Sequence, residues 1–234
     1  HDVEKEVQSI RQSLPDRKLV FSVDRLDYTK GIPYRLEAIA HFLKIFPEFH
    51  RKVNFIQVVV PSRTDIQGYI DLKEKIDKAV SQINSEYTSP GWIPIHYMFH
   101  SLTPAQLLGF YRASDVALVT PIKDGMNLVC KEYVAANIEE KGALVLSEFA
   151  GAACQLKEAF LINPYDVEGT ARSIYEALTL SEEKRRSRMK KLRQKTRKEN
   201  IYFWLNSVLE SSGEHPINGV PDEYIPEECQ EVIE

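Results

Sequence analysis

Short apolar segments alternate with longer amphipathic segments along most of the chain, and this alternation predicts the fold. The apolar segments have the length and β-branched content of buried strands: LVFSV, VNFIQVVV, IPIHYMF, DVALVT, GALVLSE and AFLINP. Each precedes a stretch with helical spacing: PYRLEAIAHFLKIF, YIDLKEKIDKAVSQI, PAQLLGFYRAS, MNLVCKEYVAANI, a short AGAACQLKEA turn, and DVEGTARSIYEALTL. Because parallel strands need helical crossovers, the sequence predicts an α/β fold with a Rossmann-like, doubly wound parallel sheet of about six strands.

The pattern changes after residue 180, where extra C-terminal helices are expected. Residues 181–200 hold ten Lys/Arg and three Glu, and the aromatic stretch IYFWLNSVLE follows. The basic stretch could bind RNA or a membrane surface, but we favour a solvated helix face, partly balanced by an acidic tail. The chain then divides into four expected parts: a leading helix or interdomain linker (1–17), the Rossmann-like domain (18–180), C-terminal helices (181–211) and an acidic tail or linker (212–234).

Composition narrows the class of protein without naming a function. The 234 residues are 43% hydrophobic and 27% charged, with a net charge of -4, which excludes disordered, collagen-like and coiled-coil classes. No apolar run reaches the roughly 20 residues of a membrane span, and no secretory signal opens the chain. We therefore expect a soluble, cytoplasmic protein with no membrane or nucleic-acid partner. Cys130, Cys154 and Cys229 are expected to be free thiols.

Ligands of open α/β sheets bind at the carboxyl ends of the strands, so the loops that follow the strands are the first place to search. Arg25 and Lys30 lie in the loop after the first strand, which contains Gly31 and leads into a helix. A guanidinium and an ammonium that converge on one anion suit a diphosphate and could neutralise it without a metal. The alternative is a surface pair that bridges to Asp24 or Asp27.

A second candidate lies in the loop PIKDGMN after the fourth strand. The helix that follows is expected to offer free backbone N–H groups at residues 127–129, and Gly125 lets a ligand approach the backbone. Asp124 could equally be an ordinary helix N-cap. Glu132 could accept hydrogen bonds from ribose hydroxyls, or it could be a solvent-exposed glutamate paired with neighbours of Lys131.

Several catalytic signatures are missing from the sequence. There is no GxxxxGK phosphate loop, no GxGxxG fingerprint, no GxSxG elbow and no HExxH pair. The six histidines are scattered, so we expect no metal site. His96 and His100 flank the end of the third strand. His100 could approach a ligand from that loop, although a structural, hydrogen-bonded role is favoured.

The longer motifs carry a resemblance to a known family. In order and spacing, DRLDYTKGIPYRLEA, VVVPSRTD, GWIPIHY, DVALVTPIKDGMNLVCKEYVAAN, LVLSEFAGAA and NPYD resemble the carboxyl-terminal half of the trehalose-6-phosphate synthases. The similarity covers roughly residues 18–180. It implies a GT-B glycosyltransferase, in which two Rossmann-like domains face each other across a cleft. This chain resembles the second domain, which holds the nucleotide-sugar donor.

The resemblance also implies a role for each candidate residue. In the donor UDP-glucose, the diphosphate is expected to meet Arg25 and Lys30, the uracil Leu102, and the ribose Glu132. The glucose hydroxyls are expected to meet Asp124, Gly125, Met126 and Asn127. The start of the helix completes the donor site with Leu128, Val129, Cys130 and Lys131. Arg63 is expected to reach the phosphate of the acceptor, glucose 6-phosphate. Arg25 and Lys30 are then electrostatic catalysts, and Asp124 orients the sugar. No cofactor or metal is implied.

The implied reaction is glucosyl transfer with retention, giving α,α-trehalose 6-phosphate and UDP. The family's amino-terminal domain is not in this chain, so we expect the chain to bind UDP or UDP-glucose but to transfer glucose negligibly. We expect the two ends of this chain to be artificial boundaries. Whether the full-length protein forms an oligomer stays open. Two alternatives remain: a catalytically silent, synthase-like regulatory subunit, and a related glucosyltransferase such as glucosylglycerol-phosphate synthase.

Overall fold

The computed structural model of the chain describes residues 2–213. Apart from its first two residues, the predicted acidic tail lies outside the described residues. Six strands are described: β1 (Lys18–Arg25), β2 (Val53–Val60), β3 (Ile95–Met98), β4 (Val116–Val119), β5 (Ala143–Ser147) and β6 (Phe160–Ile162). The α-helices of the described part are α1 (Asp2–Ser13), α2 (Ile32–Ile45), α3 (Gln67–Tyr87), α4 (Pro104–Ala113), α5 (Leu128–Ala136), α6 (Val167–Thr179), α7 (Glu182–Lys198) and α8 (Ile201–Ser212).

The strands form one sheet in the order β3-β2-β1-β4-β5-β6, and every pairing is parallel. This is the doubly wound arrangement, and it confirms the fold class predicted from the sequence. The predicted short helix AGAACQLKEA is only a single 3₁₀ turn, Gly151–Cys154. Among residues 2–213, none of the helices combines the length and the apolar character of a membrane span.

Both faces of the sheet are covered, and alternate residues of a strand enter different cores. Val20 of β1 belongs to a core formed with α2, α3 and α6, whereas Phe21 belongs to one formed with α4, α5 and α7. In β2, Phe55 and Ile56 divide in the same way. Since successive strand side chains point to opposite faces, strands buried on both faces read as continuous apolar runs in the sequence.

The leading segment is helix α1, which packs on α4. Ile10 of α1 lies in a small core with Leu19 and Ala113. A side chain at Gly109 of α4 would overlap Glu6, so the glycine allows the two helices to approach closely. The segment predicted as a leading helix or linker therefore forms part of the folded layer.

Asp115, which precedes β4, ties this helix to the sheet. Its carboxylate accepts hydrogen bonds from Arg11 at 3.1 Å, from Lys18 at 3.0 Å and from the backbone N–H of Leu19 at 2.9 Å. Burial acts to raise the pKa of Asp115, but the N–H donor and the two cations outweigh it and lower the pKa below its usual range. The carboxylate is therefore held ionised at the amino-terminal edge of the sheet.

Helix α7 carries most of the basic stretch, and several of its arginines point into the domain. Arg185 donates to the carbonyl oxygens of Ala177 and Leu178 at the end of α6, at 3.1 and 3.2 Å. Arg193 donates in the same way to the last turn of α5. Cations at helix carboxyl ends satisfy carbonyl groups that lack helical partners. Arg185 and Arg193, in the stretch predicted as a solvated face, thus hydrogen-bond to the carboxyl ends of α6 and α5.

Candidate functional site

The strand order places a topological switch point between β1 and β4. The chain leaves β1 toward one edge of the sheet and leaves β4 toward the other, which opens a crevice between the two loops. These loops are residues 26–31 and 120–127. They contain Lys30 and Asp124, and Arg25 ends β1 beside them.

The loop after β1 is fixed by local hydrogen bonds and by contact with the loop after β4. Asp27 accepts from the backbone N–H and the hydroxyl of Thr29, at 2.8 and 2.7 Å, and so begins the short 3₁₀ helix Tyr28–Lys30. Gly31 follows with φ 65°, where a side chain would be strained and would overlap the carbonyl oxygen of Thr120. Glycine is therefore required at this crossing.

Lys30 and Asp124 join the two loops directly. The Nζ atom of Lys30 lies 2.7 Å from Oδ2 of Asp124, with the side chains 17% and 15% exposed. Asp124 also accepts from the backbone N–H of Met126 at 3.3 Å and from Nδ2 of Asn127 at 3.1 Å. Partial burial acts to raise the pKa of Asp124, but the hydrogen bond and charge of Lys30, with the other donors, lower it. The site thus holds an ionised carboxylate beside the Lys30 side chain.

Helix α5 begins beside this pair, and Asn127 caps it. Oδ1 of Asn127 accepts from the backbone N–H of Cys130 at 3.1 Å, so Asn127 is the N-cap, not Asp124 as the alternative reading of the motif had it. The backbone N–H groups of Leu128 and Val129 donate to no group within residues 2–213. They form the open start of a helix, which attracts anions.

Cys130 differs from the other residues of the helix start. Its side chain is fully buried, and its thiol donates to the carbonyl oxygen of Asn127 at 3.0 Å. Burial raises the pKa of this thiol to about 12. Cys130 therefore packs in the core beneath the helix start, while Leu128 is exposed above it and Lys131 is half-buried.

The loop after β5 supports the loop that carries Asp124. The backbone N–H of Gly151 donates to the carbonyl oxygen of Asp124 at 2.9 Å, and that of Ala152 donates to Met126 at 2.8 Å. A side chain at Gly151 would overlap the carbonyl oxygen of Gly125. By contrast, a side chain at Gly125 would meet no atom within 4 Å, because that position faces open space.

Arg25 is exposed at the end of β1, and its guanidinium forms no hydrogen bond or ion pair with the residues that the structure describes. Arg25 forms no ion pair with Asp24 or Asp27, the partners that the alternative named. Asp24 pairs with Arg35, and Asp27 bonds to Thr29. Arg25 and Lys30 therefore differ: Arg25 is unpaired within the described chain, whereas Lys30 is held by a carboxylate.

Arg35 is a buried residue that contacts the loops of the candidate site, and it was not singled out from the sequence. It is 1% exposed, and its guanidinium lies 2.7 Å from Asp24 at the end of β1. It also donates to Thr120 at 2.9 Å, to Gln57 at 3.1 Å and to the carbonyl oxygen of Lys30 at 3.4 Å. Burial raises the pKa of Asp24, and the charge of Arg35 opposes that rise. The available signal was the position of Arg35 on the apolar face of its helix, three residues after Ile32 and four before Ile39.

Glu132 is exposed in the second turn of α5, and its carboxylate has a specific partner. Its Oε2 atom accepts from the hydroxyl of Tyr111 in α4 at 2.9 Å. Tyr111 is fully buried, and burial together with the charge of Glu132 raises the pKa of its hydroxyl. The partner of Glu132 is therefore a buried phenol, not a neighbour of Lys131, and the phenol fixes the direction of the carboxylate.

The remaining candidates lie on neighbouring loops. Arg63, after β2, is exposed and donates to the hydroxyl of Tyr69 at 2.9 Å. Leu102, after β3, is half-buried against the core of α4, α5 and α7. His100 is exposed, and the hydrogen bond of its ring in the described part of the chain is to the carbonyl oxygen of Ser101 at 2.9 Å.

His96 lies within β3, where its ring nitrogen is 3.0 Å from Nδ2 of Asn54. Burial lowers the pKa of His96, and the nearby charge of Arg17 adds to this effect. His96 thus lies inside the strand, not beside its end as expected, and its hydrogen bond joins β3 to β2. Within residues 2–213, no three His, Cys, Asp or Glu side chains are grouped so that they could hold a metal.

Comparison with known proteins identifies the family. The profile of Glycosyltransferase family 20 matches residues 1–213. The chain is 44% identical over 202 residues to the bifunctional trehalose-6-phosphate synthase/phosphatase of Thermoproteus tenax, covering 86% of this chain and 28% of that protein.

Two solved structures share the fold closely. One, from E. coli and described as bound with UDP-2-fluoro glucose, superposes with a TM-score of 0.85 at 38% identity, covering 88% of this chain and 46% of its own. The other is a UDP-forming α,α-trehalose-phosphate synthase from Burkholderia xenovorans in complex with glucose-6-phosphate, with a TM-score of 0.85, 36% identity and the same coverage of 88% and 46%. This chain spans less than half the length of each of these three proteins. The chain belongs to glycosyltransferase family 20.

Proposed function

We propose that this chain is the donor-binding half of a retaining glycosyltransferase. The enzyme transfers glucose from UDP-glucose to glucose 6-phosphate and gives α,α-trehalose 6-phosphate and UDP. The observation that carries the proposal is the convergence of Arg25, Lys30, Asp124 and the open start of α5 at the switch point of a family 20 chain. The similar structures described with a UDP-sugar analogue and with glucose-6-phosphate support these substrates.

In this proposal, positive charge at the crevice does the main catalytic work. Arg25 and Lys30 bind the diphosphate, and the N–H groups of Leu128 and Val129 add the partial positive charge of the helix start. As the glycosidic bond breaks, negative charge grows on the leaving phosphate, and these groups stabilise it. A leaving phosphate oxygen takes the proton of the acceptor hydroxyl, so no protein nucleophile is needed.

The carboxylates orient the donor without taking part in proton transfer. Asp124 accepts hydrogen bonds from glucose hydroxyls, with the backbone of residues 125–127 alongside. Glu132 accepts from the ribose hydroxyls, and its bond from the Tyr111 hydroxyl keeps it aligned. Leu102 lies near the uracil. These contacts place the anomeric carbon over the crevice, where the acceptor must arrive.

Arg63 binds the phosphate of the acceptor from the loop after β2. Most of the acceptor site is assigned to the family's other domain, which is not in this chain. Holding two reactants together supplies a large part of the rate, so this chain is expected to bind the donor and to transfer glucose negligibly. Rapid formation of trehalose 6-phosphate by this chain alone would contradict that expectation.

Calorimetric titration of UDP and UDP-glucose into the chain tests the proposal. We expect a dissociation constant from micromolar to sub-millimolar, or about -5 to -8 kcal/mol. Arg25→Ala should abolish binding, whereas Arg186→Ala, which removes the same charge from an exposed position of α7, should leave it unchanged. Displacement by GDP or ADP measures the base preference.

Two results would overturn the proposal. The first is no heat of binding from the folded wild-type chain, which would favour a catalytically silent subunit. The second is an equal loss of affinity in the Arg25 and Arg186 variants, which would mean that the ligands bind by nonspecific attraction between charges.

A further inference from the structure

The ion pair between Lys30 and Asp124 joins two groups that the proposed function assigns to different parts of the donor. Lys30 is to bind the diphosphate, and Asp124 is to bind the sugar. In the protein alone they bind each other, with 2.7 Å between Nζ and Oδ2 and little exposure of either side chain. The donor must therefore enter a site whose cation already has an anionic partner.

The backbone around both residues is held by neighbouring loops. The backbone of Asp124 forms two hydrogen bonds with the loop after β5. Its N–H donates to the carbonyl oxygen of Phe149 at 3.3 Å, and its carbonyl oxygen accepts from the N–H of Gly151 at 2.9 Å. Lys30 precedes Gly31, which packs on the backbone of Thr120. Competition for Lys30 is therefore built into the folded site.

The two ligands of the site differ in what they offer Asp124 when Lys30 turns to the diphosphate. Without Lys30, Asp124 keeps only the longer bonds from Met126 at 3.3 Å and Asn127 at 3.1 Å. A donor that carries its sugar supplies hydroxyl groups to the carboxylate. A free nucleoside diphosphate supplies none, and an under-bonded charged group in a partly buried site is unfavourable.

We propose that Asp124 is a specificity-determining residue that, by competing for Lys30, makes the site prefer a nucleoside diphosphate that still carries its sugar. This inference rests on the proposed function, because it takes the diphosphate and the sugar as the ligands of Lys30 and Asp124. When the sugar has been transferred, Asp124 binds Lys30 again. The hold on the product UDP then weakens, which favours its release.

The test compares two affinities within one protein. UDP and UDP-glucose are titrated into the wild-type chain and into Asp124→Asn, which removes the charge and keeps the shape. We expect the variant to bind UDP about tenfold more tightly, because loss of one charge-assisted contact is worth about that factor. UDP-glucose should bind no more tightly than before, so the preference for the sugar-bearing ligand falls about tenfold.

Glu148→Gln is the matched control. Glu148 is an exposed carboxylate on the loop after β5, and it bonds to neither Lys30 nor Arg25 in the described part of the chain. Its substitution makes the same change in net charge. The ratio of the two affinities should therefore stay at the wild-type value in this variant.

The outcomes separate this inference from the function on which it rests. If Asp124→Asn weakens both ligands by the same factor, or if Glu148→Gln changes the ratio equally, the competition is refuted and the donor site stands. If the wild-type chain binds neither ligand, the proposed function fails and the inference fails with it. Because each ratio is taken within one sample, a partly unfolded variant does not alter it.

Discussion

Arg35 joins β1, β2 and the start of the loop after β4 below the candidate site, and replacing it tests how that site is supported. The Arg35→Met variant keeps the length of the aliphatic part of the side chain but removes every hydrogen-bond donor of the guanidinium. Asp24 then stays buried without its ionic partner, and Thr120 and Gln57 lose theirs. Loss of one partner of a buried ion pair costs about 3–5 kcal/mol. Because domains of this size are stable by about 5–15 kcal/mol, the change should be large.

The assay is urea denaturation followed by circular dichroism, which gives the free energy of unfolding. The matched control is Arg172→Met, since Arg172 forms an exposed pair with Glu168 on α6. Its loss should cost no more than about 0.5 kcal/mol. A second variant adds Asp24→Asn to Arg35→Met and removes the unpaired charge. It should recover at least about 1 kcal/mol of the loss.

The pH dependence follows from the direction of the Asp24 shift. Burial raises the pKa of Asp24, and the charge of Arg35, 2.7 Å away, is the main influence that opposes this rise. Without Arg35 the pKa of Asp24 should rise further. A carboxyl group whose pKa is raised in the folded state favours folding as the pH falls through that pKa. The deficit of Arg35→Met against the wild type should therefore shrink toward acid pH. A loss below about 1 kcal/mol, or one independent of pH, would refute the reasoning.

Two further predictions concern the loop that supports the site and the carboxylate that ties α1 to the sheet. Gly151→Ala should lower the free energy of unfolding by about 1–3 kcal/mol, because the added methyl group overlaps the backbone of Gly125. Gly125→Ala is the control and should change the free energy of unfolding by no more than about 0.5 kcal/mol. Equal losses of stability in thermal melts of the two variants would contradict this. The pKa of Asp115 is lowered in the folded state, so its contribution to stability is present above about pH 4 and is lost as the pH falls through the folded pKa. Denaturation between pH 6 and 3 should show the wild type converging on Asp115→Asn, and a constant difference would count against the assignment.

The fold could be predicted from the sequence because its strands are buried on both faces. Such strands are read as apolar runs whatever their order in the sheet, and VNFIQVVV corresponds to β2 residue for residue. The cap of α5 was harder to predict, because Asp124 and Asn127 are both capping residues. The choice depends on the backbone of Asn127, with φ 72°, which the loop after β5 helps to hold.

The charged contacts of the site could not be predicted, because they depend on which strands are neighbours. Arg35 meets Asp24, Gln57 and Thr120 only because β1 lies between β2 and β4. A single sequence gives the spacing along the chain, and here the partners come from separate strands. The resemblance assigned Lys30 and Asp124 to one ligand, but it did not reveal that they bind each other.

The arginines of α7 bear on how far this domain can be shortened. A fragment ending at residue 180 would retain all six strands and both loops of the crevice. It would leave the carbonyl groups at the ends of α5 and α6 without their donors from Arg193 and Arg185. It would also uncover the core that Met189 and Leu192 close. For protein engineering, the smallest fragment that keeps this sheet and its helix ends intact therefore extends through α7.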